Sequence, residues 1–228
     1  LEFWRNLLIS EGGIKRHQDQ NRDSCNLSRR KETVSSNFTR AEFVAAAEHA
    51  QRYIRAGDIY QVNLSQRLTV PCDFSGWEFF QRLSAVSPAP FSAYLDCGGF
   101  SLASSSPEQF LRMSGSQIVT RPIKGTRLRD TDPTRDAQLA YELQTSAKEL
   151  AELVMITDLL RNDLGKVCEY GSVQVPELAK LEKFAQVQHL VSTVEGRLRK
   201  DVTHFAAFAS CFPGGSITGA PKFRAMEI

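Results

Sequence analysis

Residues 91–127 read FSAYLDCGGFSLASSSPEQFLRMSGSQIVTRPIKGTR. Short runs of aromatic and aliphatic residues recur here, cut by Gly98-Gly99 and by Ser114-Gly115. Apolar runs of this length bounded by turn residues predict strands over 91–97, 100–105, 108–113 and 117–123, arranged as an antiparallel meander.

The flanking sequence is helical. Thr39-Arg40-Ala41-Glu42 has the form of a capping box, in which a Thr oxygen satisfies a free N–H and the Glu reaches back. Phe43, Ala46, Ala47, Ala50, Tyr53 and Ile54 keep helical spacing after it, and Gly57 ends the helix. A strand is expected at 59–69. Downstream, 133–165 reads as helix with a break near Thr145, followed by strands near 172–175 and 188–194. A short apolar helix at 203–212, a Gly-rich loop at 213–220 and a helix opening at Pro221 complete the pattern. Strands mixed with helices, without βαβ alternation, predict an α+β fold of antiparallel sheets packed with helices. Residues 11–38 are polar and aromatic-poor, so 1–38 reads as a linker or the remnant of an N-terminal region, and 39–228 as the ordered domain.

Composition bounds what the protein can do. The chain has 228 residues, of which 42% are hydrophobic and 24% charged, enough for one sizeable core. Its formal charge is +2; residues 1–40 hold 8 Lys/Arg against 5 Asp/Glu (+3), leaving 20 against 21 (−1) beyond them. Such a balance gives no basic field for nucleic acid or a membrane surface, and no apolar run reaches the ~20 residues of a bilayer span. Cys25, Cys72, Cys97, Cys168 and Cys211 are scattered with no CxxC pair, which argues against a disulfide framework or zinc site and fits a reducing compartment. The cytoplasm, or an organelle, is the expected location. The chain opens on Leu1 and ends at Ile228 inside a new helix, and reads as a piece of something longer.

A few polar residues stand where chemistry could use them. Lys124 leaves an apolar strand in Arg121-Pro122-Ile123-Lys124-Gly125-Thr126. Partial desolvation of an amine there lowers its pKa and makes it a usable nucleophile, although a solvated lysine at a strand end fits the same pattern. Glu108, 16 residues earlier, could face Lys124 across adjacent strands as an acid beside the amine, or as an ordinary cross-strand ion pair. Glu152 shares its helix face with Met155, Ile156 and Leu159. A carboxylate in that setting needs a partner: Mg²⁺, whose coordination a substrate carboxylate would share, or Lys148 one turn earlier. The run Pro213 to Lys222 is a Gly-rich loop entering a helix, a place where free amides favour an anion. It is not a P-loop, because Ala220-Pro221 displace the lysine and hydroxyl that motif requires. His189 lies among apolar residues of a strand, where a satisfied core histidine is the commoner reading.

Taken together, these segments form an ordered set: Gly57-Asp-Ile-Tyr-Gln-Val-Asn63, Ser-Pro-Glu108, Pro-Ile-Lys124-Gly-Thr, Lys148-Glu-Leu-Ala-Glu152, Met155 through Asp163, His189-Leu-Val-Ser-Thr193, and Gly215-Ser-Ile-Thr-Gly-Ala-Pro-Lys222. The set resembles the chorismate-utilising enzymes, the family of the anthranilate and aminodeoxychorismate synthase large subunits, over about 39–228. Anthranilate synthases usually read PIAGT at the lysine motif, whereas PIKGT resembles the aminodeoxychorismate branch, which serves para-aminobenzoate and folate synthesis. The resemblance implies that Lys124 attacks C2 of chorismate while Glu108 protonates the departing C4 hydroxyl. Ammonia from a glutaminase subunit or domain then enters at C4. It further implies that Glu152 is a Mg²⁺ ligand and that Gly125, Thr126, His189, Ser216, Gly219 and Ala220 line the chorismate site. Anthranilate synthase or another chorismate enzyme is the alternative activity, and a fragment that only binds is the alternative class.

Two departures from the family pattern stand out. Gln109 follows the motif glutamate where an arginine or another residue is common. The family's C-terminal segment, with its arginine, Gly-rich loop and second metal-binding glutamate, does not follow within this sequence, so residues 1–228 alone are expected to be inactive. Ala89-Pro90-Phe91-Ser92 aligns with one wall of the tryptophan pocket of some relatives.

Overall fold

The computed structural model describes residues 34–184 and 186–228. Most of the stretch read as a linker, with Cys25, lies outside the described residues. In chain order the elements are β1 (Ser35–Ser36), α1 (Arg40–Ala56), β2 (Gln61–Val62), β3 (Leu68–Thr69), α2 (Gly76–Val86), β4 (Ala93–Asp96) and β5 (Ser101–Ser104). Then come β6 (Gln109–Ser114), β7 (Gln117–Arg121), β8 (Ile123–Leu128), α3 (Pro133–Thr145) and α4 (Ala147–Gly165). The last are β9 (Gln174–Lys183), β10 (Val187–Arg197), α5 (His204–Cys211), α6 (Gly215–Thr218), β11 (Gly219–Ala220) and α7 (Lys222–Glu227). Helices and antiparallel sheets are mixed as expected for α+β. The described residues fall into two units that interleave along the chain: 34–37 with 67–105, and 38–66 with 106–228.

The first unit pairs β1 with β3 and β4 with β5. The β4–β5 turn is fixed by Asp96, whose Oδ1 accepts the Gly98 N–H at 2.9 Å. Helix α2, absent from the sequence reading, has its own capping box at Ser75 and Glu78. Its Trp77 and Phe80 pack on Tyr94, with ring centroids 5.3 and 5.7 Å away. The spacing Ser75-x-x-Glu78 followed by Phe80 and Leu83 carried the signal.

The second unit is built on β10. Along one edge it runs antiparallel first to β8 and then to β7, while β9 lines the other edge and β6 pairs with the far side of β7. The expected meander therefore holds only as two separate hairpins, β4–β5 and β6–β7. Pro122 separates β7 from β8 because it has no N–H to give the ladder. Its carbonyl still accepts the Ser192 N–H at 3.1 Å, so β10 continues past the break. The single strand expected at 59–69 is likewise two short ones: β2 pairs with β11, and β3 pairs with β1.

The helix expected over 133–165 breaks one residue after Thr145. Ser146 ends α3, and its side chain accepts the Glu149 N–H that opens α4. Leu153, Ile156, Thr157, Leu160, Asp163 and Leu164 of α4 are buried, a helical stripe set against the sheet. One core cluster joins Ile118, Leu164, Val167, Cys168, Val194, Leu198, Ala207 and Cys211, and a second joins Leu143, Leu153 and Leu190. The capping box at Thr39 and the left-handed Gly57 delimit α1 as expected.

Asp136 ties α3 to the sheet. Its carboxylate accepts from Arg129 Nε at 2.7 Å and from Lys183 Nζ at 3.1 Å, and the Arg129 guanidinium holds it well below the usual carboxylate range. A carboxyl depressed in the folded state contributes stability above its unfolded value of about 3.9, and that stability is lost as pH falls toward the folded value. Asp136→Asn should therefore lower the urea midpoint near neutral pH and flatten its acid dependence. Parallel midpoint shifts at about pH 7 and about pH 3 would refute this.

Candidate active site

Lys124 stands on β8 where the register to β10 slips. Lys124 pairs with Leu190 and Thr126 with His189, leaving Gly125 as an extra residue. Gly125 has φ +69°, and a Cβ there would lie 2.6 Å from Leu143 Cδ1 and 3.2 Å from Glu149 Oε2. Only glycine fits, and a bulge of this kind re-aims the neighbouring side chain. Lys124 is half-buried, and among the described residues its ammonium forms no ion pair or hydrogen bond, although its charge is felt by the nearby Glu108. Gly125→Ala should cost at least about 1–2 kcal/mol from the left-handed backbone alone, with the Leu143 clash added. An unchanged urea midpoint would show that the bulge is not fixed by this residue.

Glu108 reaches Lys124 by a different route from the one expected. The two are not cross-strand partners: β6 pairs with β7, with Gln109 opposite Arg121, and Lys124 lies on β8 beyond Pro122. The proline that breaks the edge brings Glu108, just ahead of β6, alongside the start of β8. Burial pushes the Glu108 carboxyl above its ordinary value, while the Ser216 hydroxyl, the Ile123 backbone N–H and the Lys124 charge pull it back. A carboxyl whose pKa is raised by burial, beside an amine with no ion-pair partner, has the makings of an acid–nucleophile pair.

His189 is 7% exposed. Its Nδ1 lies 2.9 Å from Thr126 Oγ1 and 3.3 Å from the Gly125 carbonyl. Both partners meet the ring at Nδ1, one a hydroxyl that can donate or accept and one a carbonyl that can only accept. His189 is thus tied to the bulge that carries Lys124.

The Gly-rich loop differs from an open anion cradle. Residues 215–218 form the single turn α6, and Gly219–Ala220 form β11, buried and paired with Val62 and Gln61. Ser216 Oγ donates to Glu108 Oε1 at 2.5 Å. Asn63 Nδ2 donates to the Ser216 carbonyl at 2.9 Å. A Cβ on Gly215 would lie 2.2 Å from Leu159 Cδ2, so the loop sits directly on α4. At its end Lys222 Nζ donates to Asp163 Oδ2 at 2.5 Å and to the Cys211 carbonyl at 2.7 Å. Asn63, Asp163 and Lys222 had no individual role in the sequence reading, because their partners are 153, 59 and 11 residues away.

Helix α4 backs the whole arrangement, touching Gly125 through Glu149 and Gly215 through Leu159. Glu152 lies between these contacts. Its side chain keeps 34% of its surface, and its ion pair with Lys148 is long at 4.0 Å, so the apolar confinement expected from the helical projection is only partial. No group of three or more metal-binding side chains occurs among the described residues. One accessible carboxylate with a loose partner suits Mg²⁺, which commonly takes one or two protein carboxylates and completes its shell with water and substrate oxygens. A surface hollow lined by Asp158, Arg161, Asn162 and Tyr170 lies at the far end of α4 and contains none of these groups.

The chorismate binding enzyme family matches residues 10–228. This chain belongs to that family. The anthranilate synthase component 1 of Thermus thermophilus is 48% identical over 193 residues, covering 85% of this chain and 42% of the relative. The aminodeoxychorismate synthase component 1 of Salmonella typhimurium gives the same identity and coverage. The chain thus spans under half the length of the curated relatives it matches. Among solved structures, anthranilate synthase component I from Streptococcus pneumoniae superposes with a TM-score of 0.76 at 33% identity, covering 86% of this chain and 43% of that one. The menaquinone-specific isochorismate synthase MenF of Escherichia coli shares the fold alone, with a TM-score of 0.71 at 17% identity. No helix of the described residues is long and apolar enough to cross a membrane.

Proposed function

We propose that this chorismate binding enzyme is the synthase component that converts chorismate and ammonia to 4-amino-4-deoxychorismate, in the para-aminobenzoate and folate route. The observation that carries the reading is the Lys124 amine, without an ion-pair partner, beside a half-buried Glu108 with a raised carboxyl pKa. The neutral amine forms a bond to C2 of chorismate, the ring double bonds shift, and the C4–O bond breaks. Glu108 gives its proton to that oxygen, so water leaves. Ammonia then adds at C4 and passes its extra proton back to the Glu108 carboxylate, the double bonds return, and the C2–N bond breaks to restore Lys124. This route needs an amine and an acid on one ring, a division of labour between nucleophilic and general acid catalysis.

The remaining residues take supporting roles. Gly125, Thr126 and His189 form the wall around the amine, and Ser216, Gly219 and Ala220 belong to the opposing loop. Glu152 would hold Mg²⁺, whose charge would offset that of a substrate carboxylate when bound. Ammonia would come from a glutaminase partner, a role supported by the "component 1" names of the relatives. Overall identity does not favour either product, since an anthranilate synthase and an aminodeoxychorismate synthase match equally at 48%; Lys124 favours the amino-deoxy product. The test is product analysis by mass spectrometry after incubating the protein, at its full natural length, with chorismate, ammonium and Mg²⁺. 4-Amino-4-deoxychorismate is expected, and anthranilate would sink the reading.

A further inference from the structure

We propose that Ser216 is a positioning residue that acts through Glu108, its hydroxyl holding the carboxyl in the orientation from which a proton is delivered. The inference rests on the reading of Glu108 as the acid and adds the device that aims it. The backbone of Glu108 is fixed locally, because Ser106 Oγ accepts the Glu108 N–H at 3.2 Å and donates to the Glu108 carbonyl at 3.0 Å. The carboxyl at the end of the side chain is met by the Ile123 backbone N–H and by Ser216. Among the described residues the one side chain bonded to it is Ser216, at 2.5 Å and 108 residues away.

The loop carrying Ser216 is clamped at its ends and in its middle. Lys222 follows the loop and Cys211 precedes it, and the Lys222 ammonium bonds the Cys211 carbonyl and Asp163 of α4 together. Lys222 is 5% exposed and Asp163 0%. Burying such a pair carries a desolvation cost that a mere connection has no need to meet. Asn63 grips the Ser216 carbonyl, and Gly215 packs against Leu159, whose Cδ2 would lie 2.2 Å from a Cβ placed there. Ser216 therefore meets Glu108 at a position set by three separate elements.

The test compares Ser216→Ala, Ser216→Thr and Glu108→Gln in the protein at its full natural length, measuring kcat and KM for chorismate across pH. A positioning role predicts that Ser216→Ala lowers kcat roughly ten- to a hundred-fold with little change in KM, the scale of a small misplacement. The alkaline limb of the profile should move to higher pH, because the bond that favours the ionised carboxyl is gone. Ser216→Thr, which keeps the hydroxyl, should restore both. In a Glu108→Gln background, Ser216→Ala should no longer shift any limb. A Ser216→Ala protein with raised KM and an unmoved limb, beside a slow Glu108→Gln, overturns this inference alone and returns Ser216 to substrate binding. A Glu108→Gln protein at the wild-type rate overturns the proposed function, and this inference with it.

Discussion

Lys124→Ala should reduce formation of 4-amino-4-deoxychorismate by about 10⁴–10⁶-fold, the scale of removing a covalent nucleophile while its surrounding site remains. The expectation follows from where Lys124 stands. The Gly125 bulge breaks the β8–β10 register right beside it, and no carboxylate among the described residues forms an ion pair with it. Truncation to alanine removes the amine and leaves the backbone bulge, Thr126 and His189 in place. Folding should therefore be little affected, and chorismate binding should survive better than turnover. Mass spectrometry of the wild-type protein quenched with chorismate should find the adduct on the peptide containing Lys124. Normal turnover by a protein whose Lys124 never carries an adduct would exclude the covalent route and leave direct attack by ammonia.

The second large effect concerns Glu108→Gln, which should lower kcat by about 10²–10⁴-fold, the usual contribution of a placed general acid. Glutamine matches glutamate in size, and its amide oxygen can still accept the Ser216 hydroxyl, so the change removes a proton rather than a contact. The pH profile gives an independent check. A general acid works only while protonated, so its share of the rate is present at low pH and is lost as pH rises through its folded pKa. Burial places that value above the ordinary one for a glutamate, which moves the limb toward neutrality, and Glu108→Gln should abolish it. If affinity for chorismate collapses while kcat holds, Glu108 is a binding residue and the assignment fails.

Much of this was legible in the chain because the information is local. The Thr39 capping box and Gly57 delimit α1 through contacts no more than four residues apart. The break near Thr145 is set by Ser146 capping the next helix. The β6–β7 hairpin follows from apolar runs around Ser114-Gly115. Where two signals overlapped, the reading erred. The apolar run at 59–69 looked like one strand, yet its ends take partners more than a hundred and about thirty residues away. Residues 70–90 carry no assignment in the sequence reading, although the capping box of α2 at Ser75 and Glu78 is present there.

The sequence by itself determined the identity of the candidate chemistry: an amine in Pro-Ile-Lys124-Gly-Thr, a carboxyl after Ser-Pro, and a helix carrying Glu152, in an order that resembles one enzyme family. Tertiary structure decided how these groups meet. A register count placed Glu108 opposite Lys124, but a proline that cannot donate to the ladder moved Lys124 onto a different strand and let the carboxyl approach it around the break. Whether Glu152 was confined or accessible also depended on how α4 lies against the sheet, which helical spacing alone does not fix. The bond from Ser216 to Glu108 and the Lys222–Asp163 clamp could not be read from the chain at all. Hydrogen bonds between residues 108 and 59 positions apart leave no periodicity, and only the folded backbone brings their partners within reach.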